Sequence, residues 1–234
     1  MSLPTINVPQ YELVLPSTKE NIMFRPFLVK EEKILLLALE DGADKALATA
    51  LKQIVNNCTF EKLPVDTLPL FDLEFMFLRI RAKSVGEEAE LKLLCEDDGE
   101  TYADVKVPLE KIEVNFPEGH TADIKLNDDV SLKMGYPTFE LLGMDVNAMD
   151  VEKTFELIGS CINQIFEGET VYEKTDWNKK ELKEFVDSLT SNQFQEVQKF
   201  FETMPKLSYD VEFENPNTKK KNKMTLEGLQ SFFV

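Results

Sequence analysis

Thr18-Lys19-Glu20-Asn21-Ile22-Met23-Phe24-Arg25-Pro26-Phe27-Leu28-Val29-Lys30-Glu31-Glu32-Lys33-Ile34-Leu35-Leu36-Leu37-Ala38-Leu39-Glu40 joins an extended lead-in to a densely apolar helix. Pro26 pushes Arg25 toward extended geometry, so the helix is expected to begin after it, with Glu31 and Glu32 near its positive N-terminal end. Residues 34–39 are apolar on every face, the pattern of a helix packed on several sides. On that pattern alone the segment is core, not chemistry.

On the N-terminal side, Pro4, Pro9, Pro16 and Pro26 stand among alternating apolar positions. Residues 1–28 therefore read as an extended arm with a short edge strand over 11–15, packing on its own domain or on a neighbour. On the C-terminal side, Asp41-Gly42 interrupts the pattern, and Leu47, Leu51, Ile54 and Cys58 recur at helical spacing, which makes Cys58 core. A third helix is expected with Asp66 or Thr67 as N-cap, Pro69 inside the first turn, and Leu73, Phe77 and Ile80 on one face.

The period changes near residue 89. Two β-rich runs flank Glu96-Asp97-Asp98-Gly99-Glu100, a hairpin signal, and further strands are expected at 112–114, 122–126 and 130–134. Helical spacing returns from residue 150: Phe155, Ile158, Ile162 and Ile165 read as one buried face ended by Gly168. A short helix carries Leu182, Phe185, Val186 and Leu189. Thr190 with Gln193 reads as a capping box opening a last helix, with Phe194, Val197, Phe201 and Met204 as its buried stripe and Pro205 closing it. Tyr209, Val211 and Phe213 alternate as a strand, and Met224 and Leu226 mark its return across a polar turn.

The 234 residues carry 43 acidic against 26 basic side chains, a net charge of −17 that opposes wrapping a phosphate backbone. Hydrophobic residues make up 43%, enough for a real core. Cys58, Cys95 and Cys161 form no close pair, which fits a reducing compartment. The first residues lack a secretory pattern, and the longest apolar run is far below the ~20 residues of a membrane span.

Residues 24–33, the run from Asp72 through Glu87, residues 189–194 leading into 200–207, and the terminal Leu226-Glu227-Gly228-Leu229-Gln230-Ser231-Phe232-Phe233 resemble the baseplate hub subunit or hub assembly protein family of T-even-type contractile-tailed bacteriophages. The blocks follow the family's order across nearly the whole chain. The resemblance implies a part or assembly factor of a phage tail, working in the cytoplasm of the infected bacterium or in the virion baseplate, and not an enzyme. Members of that family often carry Cys-x-x-Cys-Gly at hairpin tips placed like the two here, where four thiolates would hold a structural zinc. This chain departs from that pattern: the first tip is Cys95-Glu96-Asp97-Asp98-Gly99 and the second Asn215-Pro216-Asn217-Thr218-Lys219. No metal and no cofactor is expected, and the hairpins are retained as shape.

Other candidate chemistry reads blandly. His120 is the single histidine and has no nucleophile motif beside it; the Asp97-Asp98 and Asp128-Asp129 pairs read as solvated turns; no glycine-rich phosphate cradle is present. The basic run Lys219-Lys220-Lys221 with Lys223 reads as protection of a hairpin edge.

The expected architecture is α+β: an arm over 1–28, then one compact domain over 29–234, helical at 29–87, β-rich at 88–140, and helical with a terminal hairpin at 150–234. The expected function is baseplate hub assembly, as scaffolding chaperone or minor hub subunit, by protein–protein binding with other hub or tail proteins. No nucleic acid and no membrane is expected among the partners, and a homo-oligomer is compatible with the sequence. Candidate contact residues are Phe24, Arg25, Phe27 and Leu28 in the arm and Leu229, Phe232 and Phe233 at the end; the apolar ones among them also read as intramolecular core, the reading favoured for the chain end. The alternative function is a nucleic-acid or regulatory module descended from a zinc-hairpin protein that has lost its ligands. A hydrolase built on His120 or a carboxylate pair is the third class.

Overall fold

The computed structural model describes residues 6–139 and 151–232, without the side chains of 44 and 151–153. The described chain is α+β, as expected, with helices toward both ends and antiparallel sheets. Its residues group into two compact units: Met1–Asn115, Thr138–Gly143 and Lys206–Val234 form the first, Phe116–Pro137 and Met144–Pro205 the second.

The first unit opens with the hairpin β1 (Tyr11–Val14) and β2 (Asn21–Phe24), followed by α1 (Val29–Asp41), α2 (Asp44–Cys58) and α3 (Leu70–Ser84). Gly42 ends α1 in the left-handed conformation, φ 69°, which glycine adopts without a Cβ penalty. In α2, Leu51, Ile54 and Cys58 are buried as the spacing predicts.

The helix packed on all sides is α3 and not α1. Ten consecutive or near-consecutive residues of α3, from Phe71 to Ala82, are buried, including Leu73, Phe77 and Ile80. In α1 only Glu31 and Ala38 are buried. Local apolar density records how much surface a helix needs covered, and tertiary packing decides what covers it. The start of α3 also differs from expectation: Pro69 is the N-cap without a side-chain hydrogen bond, while Asp66 pairs with Lys52 and the Thr67 hydroxyl donates to the Pro64 carbonyl.

Buried α3 carries two enclosed carboxylates, and each holds a terminal segment. Asp72 accepts the Ser17 backbone N–H at 3.1 Å and the Ser17 hydroxyl, fixing the tip of the β1–β2 hairpin. Glu74 accepts the Leu229 N–H at 3.0 Å, fixing the last 3-10 turn, Leu229–Phe232. Arg79 donates to the carbonyls of Leu109 and Ile112 at 2.7 and 2.8 Å, tying in the chain just before β5 (Glu113–Asn115).

Strands β3 (Glu88–Leu94) and β4 (Tyr102–Pro108) form the expected hairpin, and β10 (Lys206–Glu214) with β11 (Lys221–Glu227) forms the terminal one. Because β10 also pairs with β5, with Lys206 opposite Asn115, the chain leaves this unit and re-enters it at neighbouring positions of one sheet.

Among the described residues the second unit is a four-stranded antiparallel sheet with three helices: β6 (Asp123–Lys125), β7 (Val130–Met134), α4 (Val151–Ser160), β8 (Ile162–Glu167), β9 (Thr170–Glu173), α5 (Lys179–Asp187) and α6 (Ser191–Thr203). Here one expectation is overturned. The helical face expected through Ile162 and Ile165 stops at Ser160, and those residues lie in β8, paired with β7 and β9. A short run containing Ile162, Ile165 and Phe166 is ambiguous in period, and the two-residue loop Gly168-Glu169, with Gly168 at φ 59°, returns the chain as a hairpin. The Thr190–Gln193 capping box is present, the Thr190 N–H donating to Gln193 Oε1 at 2.9 Å. The buried face of α6 is Val197 and Phe200, rotated from the expected stripe, with Phe194, Phe201 and Met204 half-buried.

Candidate functional site

The arm residues nominated as contacts are mostly committed inside the first unit. Phe24 is 3% exposed with its ring 5.6 Å from Tyr11. The Arg25 backbone N–H donates to the Cys58 carbonyl, and its guanidinium bonds the fully buried Glu31 carboxylate at 3.0 and 3.3 Å and the Pro26 carbonyl at 2.9 Å. Burial pushes Glu31 toward protonation, but the Arg25 hydrogen bonds, the Leu28 N–H at 2.9 Å and nearby positive charge outweigh it and hold the carboxyl below its usual range. Phe27 is half-buried, stacked 6.3 Å from Phe77, with its N–H on Ser84 Oγ at 2.9 Å. Leu28, at 38% exposure, reaches the surface. At the other end, Leu229 and Phe232 are buried, and Phe233 lies outside the described residues.

What Leu28 leads into is the apolar surface that periodicity assigned to the core. Val29 is 80% exposed, Leu36 59%, Leu37 55% and Leu39 51%. Beside them runs a shallow groove between α1 and α2, lined in part by Ile34, Leu37, Ala38, Ala46 and Ala50. Half-exposed leucines gathered on one helix make a candidate contact surface, since apolar side chains are ordinary on a protein surface when scattered singly. The apolar run itself was the available signal.

Residues 8–234 match the model of the T4 bacteriophage base plate protein family. The chain belongs to that family. Comparison with curated proteins and with solved structures returned no match. Among the described residues of this base plate protein, no helix is long and apolar enough to cross a membrane.

A zinc ion of the kind that Cys-x-x-Cys-Gly tips would hold does not suit the residues at the two hairpin tips. Both tips use the same turn: the N–H of Gly99 bonds the Cys95 carbonyl at 2.9 Å and that of Lys219 bonds Asn215 at 3.0 Å, with φ 69° and 61° at the donors. The side chains that would converge on a metal hydrogen-bond each other instead. Asn215 Nδ2 donates to Asp97 at 2.9 Å and Asp98 at 2.8 Å, the Thr218 hydroxyl to Asp97 at 2.5 Å, and Asn222 Nδ2 to Asp97 at 2.9 Å. The Thr218 hydroxyl with the Asn215 and Asn222 amides lowers the Asp97 pKa, and hydrogen bonds led by the Thr101 hydroxyl lower that of Asp98. Burial, with Asp98 and Asp97 nearby, pushes the Cys95 thiol up and away from the thiolate a metal requires. Among the described residues no group of three or more His, Cys, Asp and Glu side chains is arranged to hold a metal ion.

Several of the remaining candidates have partners within the chain. Of the basic run, Lys219 pairs with Glu214 and Lys223 with Asp210. His120 is half-buried in the second unit, its Nδ1 3.0 Å from the Thr203 hydroxyl and its Nε2 3.1 Å from the Tyr136 hydroxyl. The Thr203 hydroxyl already donates to the Lys199 carbonyl, so Nδ1 carries the proton and Nε2 accepts from Tyr136. Both ring nitrogens are thereby engaged by structural partners. Cys58 and Cys161 are buried thiols, pushed up to about 12 and about 11 chiefly by desolvation.

Proposed function

We propose that this base plate protein is a hub component or hub assembly factor that acts by protein–protein binding without catalysis, using the leucine face of α1 as a principal contact. The observation that carries the reading is the exposure of Leu36, Leu37 and Leu39 on one helix. The family match supports a base plate role, and the hub-like blocks at 24–33, 72–87, 189–194 with 200–207, and 226–233 support its placement at the hub. On this reading the chain forms in the cytoplasm of the infected cell and meets its partner there, either covering an apolar surface until assembly or staying with it in the virion.

Magnitudes limit what α1 does alone. Covering the exposed halves of three leucines is worth roughly 3 kcal/mol. Association costs about 4–15 kcal/mol, so a stable contact needs further area, with Leu28 and Val29 the adjoining apolar residues. The test is infection complementation with Leu36→Ser/Leu37→Ser. Because both positions are more than half exposed, the variant is expected to melt with the wild type yet fail to co-purify with hub proteins and to give few intact tails. Wild-type assembly by the folded variant would dismiss α1 as the contact.

A further inference from the structure

We infer that the second unit carries a receptor for an arginine side chain of a partner protein, in the cavity between the β7–β9 sheet and α5. The inference deepens the hub-binding reading by naming the chemistry of the group that docks, and it rests on that reading for its biological context. The cavity, of about 300 Å³, is lined by the aromatic Tyr172, Trp177 and Phe185 and by aliphatic side chains including Ile165 and Leu182. Three carboxylates, Glu167, Asp176 and Glu181, complete the lining, which contains no lysine, arginine or histidine.

Aromatic faces with carboxylates at one concavity are complementary to a flat cation. A guanidinium stacks on an aromatic ring while its N–H fork meets carboxylate oxygens, and it is more easily dehydrated than an ammonium. The carboxylates are held in place with acceptor capacity to spare. Glu167 accepts the Tyr172 hydroxyl at 3.1 Å, Asp176 the Glu173 N–H at 2.7 Å, and Glu181 the Asn178 N–H at 2.8 Å. An ionised carboxylate has about four lone-pair sites, so these bonds leave room for a bidentate donor. The chain's net charge of −17 also favours a basic partner at long range.

Trp177 is the only tryptophan, so its emission reports on this cavity without labelling. The experiment titrates N-acetyl-arginine amide into the full-length protein at low salt, with N-acetyl-citrulline amide as the neutral isostere. A saturable change in Trp177 emission is expected for the arginine compound, with at least about tenfold weaker binding of citrulline, as a cation–π and carboxylate site requires. The Asp176→Asn/Glu181→Gln variant is expected to bind arginine about tenfold more weakly. Glutamine keeps the acceptor that caps α5, the role Gln193 already fills at the start of α6, so the variant retains its fold. Equal responses to arginine and citrulline, a response that never saturates, or undiminished arginine binding by the folded variant would each overturn the site. The titration needs no partner, so its failure leaves the α1 reading standing, and failure of the α1 variants to block assembly leaves the titration untouched.

Discussion

Asn215 and Asp97, 118 positions apart in the chain, meet at 2.9 Å and join the tips of two hairpins. Asn215 is fully buried; its amide also reaches Asp98, and its oxygen accepts the N–H groups of Asn217 and Thr218 at 2.8 and 3.1 Å. Asn215→Ala is expected to cost about 1–3 kcal/mol, since it strands local N–H groups as well as the cross-tip bonds. Thermal denaturation reads the loss. Addition of a chelator or of zinc is expected to leave the wild-type transition unmoved, and a chelator-dependent fall would show that a metal does hold the tips.

Glu74 sets a pH dependence in the first unit. Burial raises its pKa to about 7, with the Leu229 N–H opposing. The folded chain therefore binds a proton that the unfolded chain has released between the ordinary carboxyl range and about 7, so this contribution to stability is present at low pH and lost as pH rises through that window. Glu74→Gln is expected to match the wild type near pH 5 and to exceed it at pH 8. Equal differences at both pH values would contradict the assignment.

His120 has the opposite sign in the second unit. Burial lowers its pKa, so below the ordinary imidazole value the unfolded chain binds the proton more readily, and stability falls as pH drops through that range. Protonation also removes the acceptor that Nε2 offers to the Tyr136 hydroxyl. His120→Ala, which loses ring contacts with Tyr136 and Phe200 at 5.7 and 5.1 Å, is expected to cost about 1–3 kcal/mol and to flatten the acid side of the stability profile. Melts of the variant and wild type from pH 5 to 7 measure both effects.

Arg25 and Glu31 form a buried pair, and removing one partner strands the other. Glu31→Ala is expected to destabilise by about 3–5 kcal/mol, whereas a matched apolar replacement of both residues is nearer neutral. Denaturant unfolding of Glu31→Ala and Arg25→Met/Glu31→Leu separates the two, and a double variant as unstable as the single would show that the pair itself is favourable.

Short-range signals carried a large part of the molecule. The α+β class, the break at Gly42, the hairpins around 95–101 and 214–221, and the Thr190–Gln193 cap all follow from neighbours a few positions apart, whose φ preferences and hydrogen bonds are local. Tertiary structure alone decided which apolar helix is enclosed: α3 is covered on every side while Leu36, Leu37 and Leu39 of α1 are left at the surface. It also made Ile162 and Ile165 a strand, since β7 and β9 supplied the hydrogen-bond partners that a short apolar run cannot choose for itself. The walls of the Trp177 cavity come from a sheet and a helix separated in sequence, so no spacing could announce them. Periodicity records what a segment would bury; the long-range fold determines what is there to bury it against.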